Sequence, residues 1–214
     1  MKKNILILLL LSFPMLLTAQ GVWERPTFDD GKEEITTESS KSKEDEKYLK
    51  GAVTEVDGKV KWVLDLEVPG KSANEIYDIM LKYLNTLTKG EEQLPGSQVS
   101  LVNKEEHIIV ATMKEWLLFK STILALDRTK FNYVLKMECY DGRLKVELGR
   151  IKYIYGEQGS KIYTYKAEEW ITDELAMNKK GTRLYRVSGK FRRRTIDRKD
   201  ELFSEIREYL TKEK

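Results

Sequence analysis

The sequence predicts an α+β fold, an antiparallel sheet with helices packed on one face. Three observations carry that expectation. From Glu106 to Tyr155 long runs alternate apolar and polar residues, the period of a strand with one buried face. Tyr140-Asp141-Gly142-Arg143 joins two of these runs, and Asp-Gly between alternating runs is a strong short-range hairpin signal. Amphipathic helical patterns then appear only near the two ends of the domain, so the strands between them must pair with each other.

Taken in order, Met1 to Ala19 reads as a secretory signal peptide. Lys2 and Lys3 precede an apolar stretch from Ile5 to Leu17, and Leu17-Thr18-Ala19 ends in a small residue suited to cleavage. The stretch is short for a permanent membrane span, and no cysteine follows it to carry a lipid. The expectation is an exported, periplasmic protein without a transmembrane segment after cleavage. Residues 20–52 are rich in Glu, Asp, Lys, Ser and Thr and are expected to form a loosely held or disordered tether, with Trp23 and Phe28 as possible docking points. Residues 53–214 make the single folded domain, including a C-terminal helical extension.

The first strand alternates Val60, Trp62, Leu64, Leu66 and Val68 with Lys61, Val63, Asp65 and Glu67, and Pro69-Gly70 stops it. A helix follows. Ser72 and Glu75 have capping-box spacing, Ile76, Ile79, Met80, Tyr83, Leu84 and Leu87 form one stripe, and Gly90 can end it. Gln98 to Val102 is a short strand and His107 to Lys120 a longer one, with a bulge expected at Lys114-Glu115. Ser121 to Asp127 is open to a loop or a strand. In the next strand Phe131, Tyr133, Leu135, Met137 and Cys139 face inward. Its hairpin partner buries Leu144, Val146 and Leu148, then shifts phase to Ile151, Tyr153 and Tyr155. Gly149 stands at that shift, which reads as a β-bulge, because one extra residue moves later side chains to the other face. Short helices are expected around Ala167–Ile171 and after Thr172, and a terminal helix from Asp197 or Asp200 carries Leu202, Phe203, Ile206, Tyr209 and Leu210.

Several of these segments resemble an exported Bacteroidetes family, domain of unknown function 4468. They are Val68-Pro69-Gly70-Lys71-Ser72, Leu126-Asp127-Arg128-Thr129, Ala167-Glu168-Glu169-Trp170-Ile171 and the run from Gly189 to Asp197. The resemblance spans roughly 53–209. It implies a TBP-like strand-helix-four-strand-helix unit and brings no catalytic residues. DNA binding does not follow from the name of the fold, since function resides in sites.

The chemistry in the sequence is sparse. His107 is the one histidine and Cys139 the one cysteine, too few nitrogen and sulfur ligands for a transition-metal site, and a single cysteine cannot form an intramolecular disulfide. No phosphate loop or nucleophile elbow is present, so neither a cofactor nor catalysis is expected. The carboxylate pairs Glu168-Glu169 and Asp173-Glu174 could serve a hydrolase but fit solvated helix faces better. Between Lys179 and Lys199 there are ten Lys or Arg against the one acid Asp197. Within it Lys190, Arg192, Arg193 and Arg194 flank Phe191 and could grip phosphate, sulfate or carboxylate groups of an anionic glycan or lipid. The 38 basic residues less Lys2 and Lys3 leave 36 against 35 acidic ones, so internal pairing of these cations is the favoured expectation. Export makes nucleic acid an unexpected partner. The leading expectation is a non-catalytic binding or scaffold domain that uses an open sheet face or edge to recognise a protein, peptide or envelope component.

Overall fold

A computed structural model describes residues 46–122, 125–156 and 161–212. The signal peptide and residues 20–45, with Trp23 and Phe28, lie outside the described residues. Among the described residues no helix is long and apolar enough to cross a membrane.

The elements in order are β1 (Glu55–Val56), β2 (Lys59–Glu67), α1 (Ala73–Leu87), β3 (Gln98–Asn103), β4 (Ile108–Thr122), β5 (Ala125–Tyr140), β6 (Arg143–Tyr155) and β7 (Tyr163–Lys166). A 3-10 turn (Ala167–Glu169), α2 (Asp173–Ala176) and α3 (Arg186–Lys212) complete the chain. The strands form one antiparallel seven-stranded sheet in the order β1-β2-β6-β5-β4-β3. β7 takes the place of β2 beside the second half of β6, pairing Tyr155 with Tyr163 and Lys152 with Lys166. This is the α+β, TBP-like order, extended by the short β1 and β7.

The alternation sorts the two faces as the sequence demands. Trp62 pairs with Leu148, Leu64 with Val146, and Leu135 with Leu148, all buried on the inner face. Helix α1 lays Ile76, Met80, Tyr83 and Leu84 on that face, and α3 adds Phe191, Ile196, Leu202, Phe203, Ile206 and Leu210. The α1 start is fixed twice. Ser72 N donates to Glu75 Oε2 at 2.8 Å, Glu75 N donates back to the Ser72 hydroxyl at 3.4 Å, and Ala73 N donates to Asp141 Oδ1 in the β5–β6 turn at 2.8 Å. Carboxylates at a helix N-terminus also meet the positive end of its dipole.

Four expectations need correction. β4 pairs with β5 without interruption through Lys114 and Glu115, and its bulge falls instead at Phe119, between Leu118 and Lys120. The phase change in β6 is a real bulge, but Gly149 stays in register opposite Val134 while Arg150 adopts the left-handed conformation at φ 53°. Helix α3 starts at Arg186, eleven residues before Asp197. Gly189 hides this start, since glycine is a weak helix former, yet a Cβ there would lie 2.7 Å from Leu184 Cβ, so close packing requires it. The chain is also already packed from Glu46, seven residues ahead of Val53: Tyr48 donates its hydroxyl to Asp197 at 2.8 Å, and Trp62 Nε1 donates to Ala52 O at 2.9 Å. The segment between Ser121 and Asp127 resolves in favour of strand on both sides, since Ser121 pairs with Leu126.

Candidate functional site

The four cations weighed as an alternative anion site, Lys190, Arg192, Arg193 and Arg194, are placed around the first turns of α3 and do not converge. Consecutive residues of a helix are about 100° apart, so 190, 192, 193 and 194 cannot share one face. Lys190 Nζ donates to Asp127 Oδ2 at 2.7 Å and to the Tyr155 hydroxyl at 3.0 Å, above the Phe119 and Tyr155 rings. Arg192 has no solvent exposure. Its Nε donates to Tyr48 O at 2.6 Å, Nη1 to Ile171 O at 2.8 Å, and Nη2 to Leu49 O and Asp173 Oδ1, both at 2.7 Å. Arg193 lies 6.0 Å from the Tyr48 ring centroid, and Arg194 is exposed at the rim of a cleft. Phe191 turns into an aromatic cluster with Phe119, Tyr153, Tyr155, Tyr165 and Trp170. The basic run is therefore a device for seating α3 and the entering chain, with Arg192 as its centre.

The acidic pairs are dispersed as well. Glu169 accepts from Lys166 at 2.9 Å, which holds its carboxyl below the usual carboxylate range. Asp173 accepts from Arg192 and from Gly51 N. His107 sits at φ 53° in the β3–β4 turn, its Nε2 3.0 Å from Asn74 Oδ1 and its ring edge-on to Tyr77. Cys139 is buried, and burial pushes its thiol up to about 12. Among the described residues no group of three or more His, Cys, Asp or Glu is placed to hold a metal ion.

One buried charge cluster was not legible in the sequence. Glu115 occupies an inward position of β4 between Met113 and Leu117 and is 3% exposed. It accepts from Arg198 Nε at 2.8 Å and Nη2 at 3.2 Å, and from Gln93 Nε2 at 2.8 Å. Arg198 reaches on to Glu201 and Glu205, each at 3.3 Å, and Tyr83 donates to Glu205 at 3.2 Å. Burial works against the Arg198 charge, but the hydrogen bonds and charge of Glu115 outweigh it and raise its pKa. Burial pushes the Tyr83 and Tyr133 hydroxyls up as well, with nearby Glu205 and Glu115 adding to the effect. The cluster forms the floor of a cleft of about 660 Å³ between the end of α1, β4 and α3. Its carboxylates are held by donors of the same chain, so it acts as a polar rivet between sheet and helix. The signal was present as a charge at the inward phase of an apolar strand, which the sequence reading turned into a bulge.

The remaining surface is the outer face of the sheet, which no helix covers. It divides into two parts. Toward the β5–β6 turn its charges neutralise one another: Arg143 pairs with Asp65, Lys136 with Glu138 at 2.7 Å, Lys145 with Glu138 at 3.4 Å, and Lys61 with Glu147 at 3.5 Å. The hydrogen bond from Arg143 holds the Asp65 carboxyl below its ordinary range. At the centre lies a shallow depression of about 530 Å³ among Leu101, Val110, Val134, Lys136, Glu147 and Arg150. Beside it β3 forms one edge of the sheet, with Leu101 and Val102 exposed. Toward the β4–β5 turn the face is cationic, with Lys152 directly opposite Lys166 and Arg128 stacked 3.9 Å above the Trp116 ring.

Comparison with known proteins agrees with this architecture. The family described as "Domain of unknown function (DUF4468) with TBP-like fold" matches residues 62–154, which is β2 through nearly all of β6. A crystal structure of a DUF4468 family protein from Bacteroides ovatus is similar with a TM-score of 0.73 and 39% identity, over 79% of this chain and 96% of that one. A TBP-like protein from Parabacteroides distasonis is similar with a TM-score of 0.61 and 25% identity, over 74% of this chain and 97% of that one. No curated protein matches. The similarity runs well beyond the central strands and covers almost the whole length of both solved relatives; the chain belongs to the DUF4468 family of TBP-like domains.

Proposed function

We propose that this chain is an exported, non-catalytic binding or scaffold domain that recognises a protein, peptide or other envelope component on the outer face of its sheet. The observation that carries this reading is the asymmetry of the sheet: helices cover the inner face, while the outer face presents the central depression and the open β3 edge. An antiparallel sheet tolerates one solvated face, and an open edge offers backbone groups to an added strand. The buried polar groups support the same reading, because Arg192 and Glu115 are engaged by partners within the fold and leave little for chemistry.

The test is capture from the exported fraction of the native host with the wild-type chain and with a Val110→Glu/Val134→Glu variant. Both side chains line the depression and face outward. A partner identified by mass spectrometry should be retained by the wild type and lost by the variant at an unchanged melting temperature. Equal retention by both chains would remove the outer face from the reading. The N-terminal mass of the exported protein checks export itself: the chain should begin after Ala19, and an intact Met1 or Lys2 would contradict it.

A further inference from the structure

We propose that the end of the outer face next to the β4–β5 turn docks on an anionic lipid surface. Two independent features meet there. The first is apolar. Leu118 is 43% exposed, Leu126 48% and Ile162 60%. Leu118 is paired with Arg128, Leu126 lies two residues before Arg128 on the same strand, and Ile162 precedes Tyr163, which pairs with Tyr155 in the row of Thr129. By alternation Leu118 and Leu126 point outward from the same end of the sheet, and Ile162 stands exposed just ahead of β7. Single exposed apolar residues are ordinary, but three at one corner beside a tryptophan form a patch.

The second feature is charge. Lys130 and Lys152 flank the patch and have no ion-pair partner among the described residues, and Lys130 lies 5.7 Å from the Trp116 ring. Asp127 and Glu169, two of the acids at this end, are already engaged, by Lys190 and by Lys166. Lys152 and Lys166 face each other across paired strands, where like charges oppose folding, and Glu169 offsets Lys166 but not Lys152. A negatively charged surface would relieve that repulsion. At the neutral end of the same face Lys61, Lys136 and Lys145 each have a carboxylate partner.

The occupant follows from the combination. A soluble anionic polymer would use the lysines but leave the leucines and Ile162 in water. A single-stranded nucleic acid needs open aromatic rings for its bases, and Trp116 is already covered by Arg128. An anionic bilayer uses both features. Apolar side chains enter the headgroup boundary, a tryptophan suits the interface, and a collar of lysines meets the negative surface potential. Neither signal is strong alone, so the association is reversible and weakened by salt. The inference is independent of the partner reading above, which rests on the central depression.

The test is co-sedimentation of the full chain with phosphatidylcholine vesicles and with vesicles containing equal parts of phosphatidylglycerol. Binding is expected to the anionic vesicles only and to fall as salt rises. Lys130→Gln and Lys152→Gln should each weaken partition about fivefold. The triple variant Leu118→Ser/Leu126→Ser/Ile162→Ser should abolish it. All are surface changes, so circular dichroism and the melting temperature should stay as in the wild type, and this separates lost docking from lost folding. No binding to either vesicle overturns the proposal. So does vesicle binding that survives the triple serine change, and so does dextran sulfate capture of equal strength that the serine changes leave intact, which would mark a soluble-polyanion site. A chain that docks on vesicles yet captures its protein partner through Val110 and Val134 keeps both readings; loss of one alone leaves the other standing.

Discussion

The two faces of the sheet use charged residues in opposite ways. On the outer face Lys136, Lys145 and Glu138 make a chain of ion pairs in water, where each pair contributes little. On the helix-covered side Arg192 and Glu115 are enclosed, and every hydrogen bond they make takes the place of lost hydration. The residue types are alike. What differs is whether water can replace a missing partner. A charge count of the basic run from Lys179 to Lys199 therefore says little about binding, because its most enclosed member is structural.

The sharpest way to break this comparison is Arg192→Gln. It leaves Tyr48 O, Leu49 O and Asp173 short of a donor in an enclosed place, and the expected loss is about 3–5 kcal/mol in a urea or guanidinium melt. Arg193→Gln/Arg194→Gln on the same helix should cost under ~1 kcal/mol. Equal losses for the two variants would mean that burial does not decide the matter. Next come Leu135→Ala and Leu148→Ala, inner-face neighbours in register, each expected to cost about 2–5 kcal/mol by the same melt. Smaller in effect is a test at high pH. The Cys139 thiol is raised by burial from its ordinary 9.0 to about 12, and Tyr83, Tyr133 and Tyr153 are raised too. A raised acid favours folding fully below its unfolded pKa and loses that contribution as pH climbs toward the folded value. Stability should thus be level near pH 8 and decline from about 9 upward. In the same range a thiol reagent should leave native Cys139 untouched and label it only on unfolding, and rapid labelling of folded protein at pH 8 would contradict its burial. The smallest effects are expected for Lys136→Ala and Lys145→Ala, within about 0.5 kcal/mol. A loss as large as that of Leu135→Ala would show that the outer face is covered in solution.

The fold was largely legible because its main signals are local. Alternation in β2, β5 and β6, the Asp141-Gly142 turn and the Ser72–Glu75 box each depend on a few neighbouring residues. What escaped depends on distant partners. Glu115 looked out of phase because Arg198, 83 positions away, is what allows a carboxylate in the core. The first turns of α3 carry no readable apolar stripe because Arg192 occupies a place in it, satisfied by carbonyls 143 and 144 positions away. β7 is a four-residue strand, too short to show a period, and its place is set by β6. The partitioned outer face follows the same rule, since its two ends become visible only when seven strands are laid side by side.

The hold of Arg192 on Tyr48 and Leu49 has a mechanical meaning. The chain enters the domain beside its last helix, and one guanidinium clamps the entry to that helix through two hydrogen bonds to main chain, while two more reach Ile171 O and Asp173. The clamp works as a strain relief. A pull or a protease acting upstream meets a fixed point before it reaches β1, much as a cable gland protects a terminal. Shortening the chain to Val53 would remove the gland while leaving the strands untouched, and the guanidinium would then face two vacant seats in a place where water enters poorly. The practical boundary of this domain is set by a side chain near its far end, and a chain begun at Glu46 should outlast one begun at Val53.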